Sequence, residues 1–158
     1  MLAIWRRRYE RLLEWIVIIL MAVLAVEVTV GVVFRYVGYA LVWYDEVASI
    51  LLAWVTYYGA ALAALKRANI GVPEVVRLLP PGARVPLALF AEACVLAFFV
   101  LLAWVGYAVI EVLASDTLVS LPQVSVAYAM SVIPVSALLF IIAEVLAVPQ
   151  ILREAGQA

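Results

Sequence analysis

The stretch WIVIILMAVLAVEVTVGVVF, residues 15–34, contains a single charged side chain, Glu27. A helix rises about 1.5 Å per residue, so roughly 20 residues are needed to cross the hydrocarbon core of a bilayer. Three further long apolar runs follow, at residues 47–65, 85–110 and 124–148. The sequence therefore predicts an all-α membrane protein with four transmembrane helices in a single integral membrane domain, 1–158.

The composition and motif content exclude several functional classes. Hydrophobic residues make up 70% of the chain and charged residues 13%, whereas globular domains average about 45–50% and about 25%. The chain has no histidine, which excludes histidine-based metal sites and catalytic triads. Nucleotide-binding loops, HExxH and CxxC are absent too. We therefore predict no enzymatic activity, no catalytic, substrate-binding or metal-binding residue, no cofactor and no nucleic acid partner.

The cationic residues alternate between the gaps that separate the apolar runs. Nine of the ten lie before the first run, between the second and third, or after the fourth: Arg6, Arg7, Arg8, Arg11, Lys66, Arg67, Arg77, Arg84 and Arg153. Arg35 is the exception. Because cationic loops are retained in the cytoplasm during insertion, this pattern predicts that both termini are cytoplasmic.

Two shorter segments are expected to lie at the cytoplasmic surface. Residues 2–13 place aromatic and aliphatic side chains at helical spacing, with arginines largely on the other side, as in a short amphipathic helix in the membrane plane. An ordinary charged flank of the first span is the alternative. Between the second and third runs, residues 73–79 predict a short interfacial helix that ends at Pro80.

Small residues recur along the second span. Helices in lipid associate through close packing over small side chains rather than through the hydrophobic effect. This face is therefore predicted to pack against another helix, in this chain or in a partner, through Ser49, Ala53, Gly59, Ala60 and Ala63. In the fourth span, Pro134 predicts a kink or a freed carbonyl group.

The first outer loop carries the candidates for an external contact: Arg35, Trp43, Asp45 and Glu46. Two carboxylates at the start of a helix favour the positive end of its dipole, which is the simpler explanation of the acidic pair. The second interpretation is a docking or gating contact that involves Arg35.

Three carboxylates fall inside the apolar runs. Glu27 lies about 18 Å and Glu92 about 10 Å from the inner ends of their spans, and both are interpreted as intramembrane polar anchors. Glu144 lies within about 6 Å of the inner surface and is expected to reach it by snorkelling. Because an ionised group at the bilayer centre costs at least about 2.5–3.5 kcal/mol, Glu27 must be protonated, hydrogen-bonded or paired. A proton or cation site at Glu27 is the alternative.

Several short motifs, in order, carry a resemblance to a known family. They are LVWYDEVA at 41–48, LLAW at 51–54, GAA at 59–61, KRANIGV at 66–72, LP at 79–80, Tyr128 and IPV at 133–135. Together they resemble the small membrane (small permease) subunit of tripartite ATP-independent periplasmic (TRAP) transporters. The chain departs from the family pattern at Asn69, Pro73 and Ser136 and in its second outer loop.

The resemblance implies a multi-pass protein of the bacterial inner membrane with two protein partners. One is a large transmembrane permease subunit, which the small subunit scaffolds within the lipid bilayer. The other is a periplasmic solute-binding protein, which the small subunit helps to receive during uptake of an organic acid driven by an ion gradient. A different class also has four spans and a glutamate in the first one, namely small proton-coupled multidrug exporters. In that alternative, Glu27 would carry the coupling proton.

Overall fold

The computed structural model describes residues 2–68 and 80–157. These ranges form helices α1 (Leu2–Tyr36), α2 (Tyr44–Leu65), α3 (Pro81–Leu113), α4 (Val126–Met130) and α5 (Val132–Gln157). By length and composition, four stretches can cross a membrane: Ile4–Tyr36, Tyr44–Leu65, Gly82–Leu113 and Val126–Pro149. No strand occurs within the described ranges, so the predicted all-α fold with four spans is confirmed.

Two helices are longer than the runs that predicted them. Helix α1 has 35 residues and α3 has 33, or about 50 Å each, against about 30 Å of hydrocarbon. Residues 2–13 form the first part of α1 rather than a separate helix, so the charged-flank interpretation is the correct one. No glycine or proline interrupts residues 2–30, and nothing in this stretch breaks the helix. The predicted interfacial helix at 73–79 lies outside the described residues.

The helices form an open row rather than a closed bundle. Helix α1 packs on α2, α2 packs on α5, and α5 packs on α3. One end of the row, the terminal end, contains the start of α1 and the end of α2; the other, the loop end, contains the connections 37–43 and 114–125. In the most apolar part of the spans, 39% of the α4–α5 residues are buried but only 6% in α1 and α3. The flanking helices therefore depend on lipid or another protein to cover them.

The tightest packing lies at the terminal end. The buried cluster draws on α1, α2 and α5 and consists of Leu13, Ala61, Ala64, Leu65, Phe140 and Ala143. Phe99 of α3 stacks on Phe140, with the ring centroids 3.6 Å apart. Since lipid tails are as apolar as these side chains, such contacts stabilise the row by close packing and dispersion.

The last span is broken into two helices at Ser131, three residues before Pro134. Pro134 has no N–H that could donate to the Met130 carbonyl, so a helix cannot continue through this point with all its hydrogen bonds. The proline therefore lies in the first turn of α5, where backbone N–H groups have no partner within the helix. The helix is accordingly interrupted at Ser131, as Pro134 predicted. Helix α3 passes close to this interruption at Gly106, which is buried against Ile133 and Pro134.

Candidate functional site

At the loop end, Glu46 binds the connection between α3 and α4. One carboxylate oxygen accepts a hydrogen bond from the Val119 N–H at 3.1 Å, and the other accepts one from the Ser120 N–H at 2.8 Å. The Ser120 hydroxyl donates a further bond to the same carboxylate. Charge-assisted bonds of this kind are stronger than neutral ones. The first turn of α2 thereby holds a loop that lies 73 or more residues later in the chain.

The rest of that loop is bonded to itself. The Leu118 N–H donates to the Val124 carbonyl at 2.9 Å, and the Val126 N–H donates to the Asp116 carbonyl at 2.9 Å. Ser125 then caps α4 by accepting a bond from the Ala127 N–H. Glu46 supplies the acceptors for the N–H groups at the tip, and loop 114–125 consequently has a defined shape.

The other candidates at the loop end have a different environment. Asp45 and Arg35 are exposed, and Trp43 is 36% exposed. Among the described residues, no ion pair joins Arg35 to Asp45 or Glu46. The structure therefore brings Glu46 together with Ser120, a residue that sequence reasoning missed. A lone serine in a loop carries no signal that could have identified it.

Along α2, one face remains uncovered. Ser49, Leu52, Thr56 and Ala60 are exposed at intervals of three or four residues, which places them on one side of the helix. We call these four residues the open face of α2. The Ser49 and Thr56 hydroxyls donate to the carbonyls of Asp45 and Leu52, four residues earlier. The face is therefore small and presents no unsatisfied hydroxyl.

The five small residues of α2 that were predicted to pack against another helix differ in how exposed they are. Ser49 and Ala60 are exposed, whereas Ala53, Gly59 and Ala63 are half-buried. A Cβ added at Gly59 would meet nothing within 4 Å. The contacts of α2 inside this chain instead use Ala61, Ala64 and Leu65, which are buried.

Glu27 lies on α1, one turn before the point at which α1 contacts the first residue of α2. The Tyr44 ring packs directly against Gly31, one turn beyond Glu27 on the same side of α1. Both carboxyl oxygens of Glu27 are shielded and have no hydrogen-bond partner within the described part of the chain. A polar anchor for Glu27 is therefore not found among these residues.

The other two intramembrane carboxyls meet each other. Glu144 of α5 is 6% exposed and forms a hydrogen bond with the carboxyl group of Glu92 on α3. The prediction that Glu144 snorkels to the surface is wrong, because neighbouring helices cover it. For Glu92, the polar partner is another acid.

At the terminal end, charged groups join α1 to the end of α2. Arg6 donates to the Leu65 carbonyl at 3.0 Å, and Lys66 forms ion pairs with Glu14 and Glu10. The hydrogen bond to Glu14 raises the pKa of Lys66 above its ordinary value of 10.5. Cations here also complement the negative end of the α2 dipole.

These features define a class: a helical membrane protein with four spans, whose polar groups tie helices and loops together. No group of three or more acidic, cysteine or histidine residues in the described ranges could hold a metal ion. A family model for the DctQ component of tripartite ATP-independent periplasmic transporters matches residues 24–154. The chain therefore belongs to the DctQ family and is the small membrane subunit of a TRAP transporter.

The family places the chain among multi-pass inner-membrane proteins that act in transport. The family match favours the TRAP subunit over the multidrug exporter with four spans. A comparison with curated protein sequences found no match.

Proposed function

We propose that this chain is a non-catalytic scaffold in a TRAP transporter. It supports the large permease subunit in the membrane and helps to receive the periplasmic binding protein, so that an ion gradient drives uptake of an organic acid. The main support is the open row of helices, in which α1 and α3 bury very little of their surface within the chain. Such helices suit a subunit that is completed by a partner.

The proposed orientation places both termini in the cytoplasm and the loop end in the periplasm. Nine of the ten cationic residues lie in segments that this topology leaves on the cytoplasmic side, as the positive-inside rule requires. Glu46 and loop 114–125 then face the compartment of the binding protein.

The open face of α2 is proposed as a contact with the permease. Its side chains are small or aliphatic and its hydroxyls are bonded within the helix, so another helix can approach closely without leaving a polar group unpaired. The half-buried Gly59, which has space around its Cα, extends this surface.

The loop end is proposed to contribute to the surface that receives the binding protein. Glu46 orders loop 114–125, and the Val119 side chain at its tip is 93% exposed. Asp45 directly precedes Glu46 in the sequence and is exposed as well. The loop end therefore presents a defined surface with apolar and acidic groups.

Co-purification of the two membrane subunits tests the permease contact. Ala60→Trp places a bulky ring on the open face of α2, and we expect the permease to be lost from the purified complex. Ala60→Ser keeps a small side chain and should retain it. An Ala60→Trp complex that assembles and transports normally would contradict this interface.

Uptake at limiting binding-protein concentration tests the loop-end contact. We expect Asp45→Lys to raise the concentration of binding protein needed for half-maximal uptake, while the two membrane subunits still co-purify. Asp45→Asn, which removes the charge without reversing it, should have a smaller effect. Unchanged dependence on the binding protein in Asp45→Lys would argue against this contact.

A further inference from the structure

Glu92 and Glu144 form an acid pair between two helices. Glu92 is half-buried on α3, Glu144 is more than nine-tenths buried on α5, and their carboxyl groups are hydrogen-bonded to each other. Helices α3 and α5 pack together along the row. The pair therefore lies inside a helix–helix contact rather than on the surface.

The hydrogen bond requires a proton. An ionised carboxylate has acceptors and no donor, so two ionised carboxylates cannot bond to each other. Oε1 of Glu92 and Oε2 of Glu144 are both buried and receive no hydrogen bond from any donor in the described ranges. One proton shared by the pair supplies the missing donor and avoids two adjacent buried charges.

The surroundings determine how many protons the pair holds. From the end of α2, Arg67 acts on Glu144 as a nearby positive charge. Helix α1 contributes Tyr9, whose hydroxyl donates to the Leu139 carbonyl at 2.6 Å, while Lys66 is engaged by Glu14. A pair with one proton carries one negative charge, and the nearby Arg67 favours such a charge at Glu144.

We propose that Glu92 and Glu144 together bind one exchangeable proton, and that this proton holds α3 against α5. Loss of the proton leaves two carboxylates in contact, and their repulsion weakens the attachment of α3 to its main neighbour in the row. The nearby Arg67 disfavours a metal cation in the same position, so the ligand of the site is a proton.

The sign of the pH dependence follows from this assignment. Because the proton forms the hydrogen bond between the two carboxyl groups, its loss at high pH removes that bond, and the stability of the folded chain falls as pH rises. We expect the Tm of the purified full-length chain in detergent to drop by several degrees between about pH 5 and about pH 9.

Two substitutions and a control isolate the pair. Glu92→Gln and Glu144→Gln each supply an amide donor that needs no proton, so each should remove the pH-dependent fall in Tm. Glu27→Gln changes the intramembrane acid outside the pair and should retain the fall. A fall that persists in both pair variants overturns the proposal.

Infrared spectroscopy tests the proton directly and does not depend on the variants folding. The wild-type chain should show the C=O stretch of a protonated carboxylic acid that disappears as pH is raised, and Glu27→Gln should keep that band. Its absence from the Glu27→Gln chain at about pH 5 would overturn the proposal. In a folded Glu144→Gln chain, the band should be lost.

Discussion

The carboxylate of Glu46 connects two segments that are remote in sequence. It accepts hydrogen bonds from two N–H groups and a hydroxyl of residues 119–120. These donors lie outside helices and strands, so no regular backbone hydrogen bonding supplies acceptors for them. A single acidic residue in the first turn of a helix, where the helix dipole alone would explain it, thus makes a tertiary contact.

Removal of this carboxylate should loosen loop 114–125 while the spans stay intact. In Glu46→Ala, we expect amide hydrogen exchange at Val119 and Ser120 to accelerate several-fold, because their N–H groups lose their acceptor. Glu46→Gln, which retains a single acceptor oxygen, should give an intermediate rate. Unchanged exchange in Glu46→Ala would show that the loop is held by other contacts.

Lys66 provides a prediction on pH at the terminal end. Its pKa is raised above 10.5, chiefly because Glu14 accepts a hydrogen bond from it. The ion pair therefore stabilises the fold fully below that ordinary pKa and is lost as pH rises through the raised value. We expect the Tm difference between wild type and Lys66→Met to be constant from about pH 8 to about pH 10 and to vanish at higher pH.

Lys66→Arg is the matched control for this prediction. The arginine side chain keeps its charge beyond about pH 12, so the variant should retain its advantage over Lys66→Met where wild type has lost it. If wild type and Lys66→Arg decline together, the loss has another cause.

At the scale of elements, the packing of α3 on α5 depends on a glycine. A Cβ at Gly106 would lie 2.8 Å from Cγ2 of Ile133 and 3.2 Å from the backbone nitrogen of Pro134. Neither atom can move easily, since one belongs to a β-branched side chain and the other to a proline in the main chain. Close approach at this point is therefore available to glycine alone.

Gly106→Ala should separate the two helices locally. We expect a destabilisation of about 1–3 kcal/mol, as found when atoms are forced into a packed core, measured by unfolding of the purified chain. Gly59→Ala is the control, because a Cβ there meets nothing within 4 Å. It should leave the stability of the isolated chain unchanged or slightly raised. Equal effects of the two substitutions would contradict the packing at Gly106.

At the level of the whole molecule, the one-sided distribution of cationic residues is the basis of the proposed orientation. Labelling of single cysteines in cells tests it, in a background where the exposed Cys94 is replaced by serine. We expect Val42→Cys to react with a membrane-impermeant maleimide from the periplasm, and Arg7→Cys to react only after permeabilisation. The reverse pattern would contradict the proposed topology.

Much of the architecture was predictable because the bilayer imposes simple requirements on length and polarity. The four spans and the interruption near Pro134 follow from local rules. The separate helix expected at residues 2–13 was a misinterpretation, since amphipathic spacing does not show whether a helix continues into the next span. Snorkelling of Glu144 also failed as a prediction, because depth along a helix says nothing about which neighbours cover it.

The helical class, the number of spans and the family follow from the chain alone, because they depend on apolar length and on the order of short motifs. Which polar groups meet depends on the folded arrangement instead. It joined Glu46 to Ser120 and Glu92 to Glu144, and it left the open face of α2 uncovered. Each of these contacts depends on how a helix is rotated about its axis and on which helices lie next to it. The pattern of small and acidic residues along one span does not encode either of these.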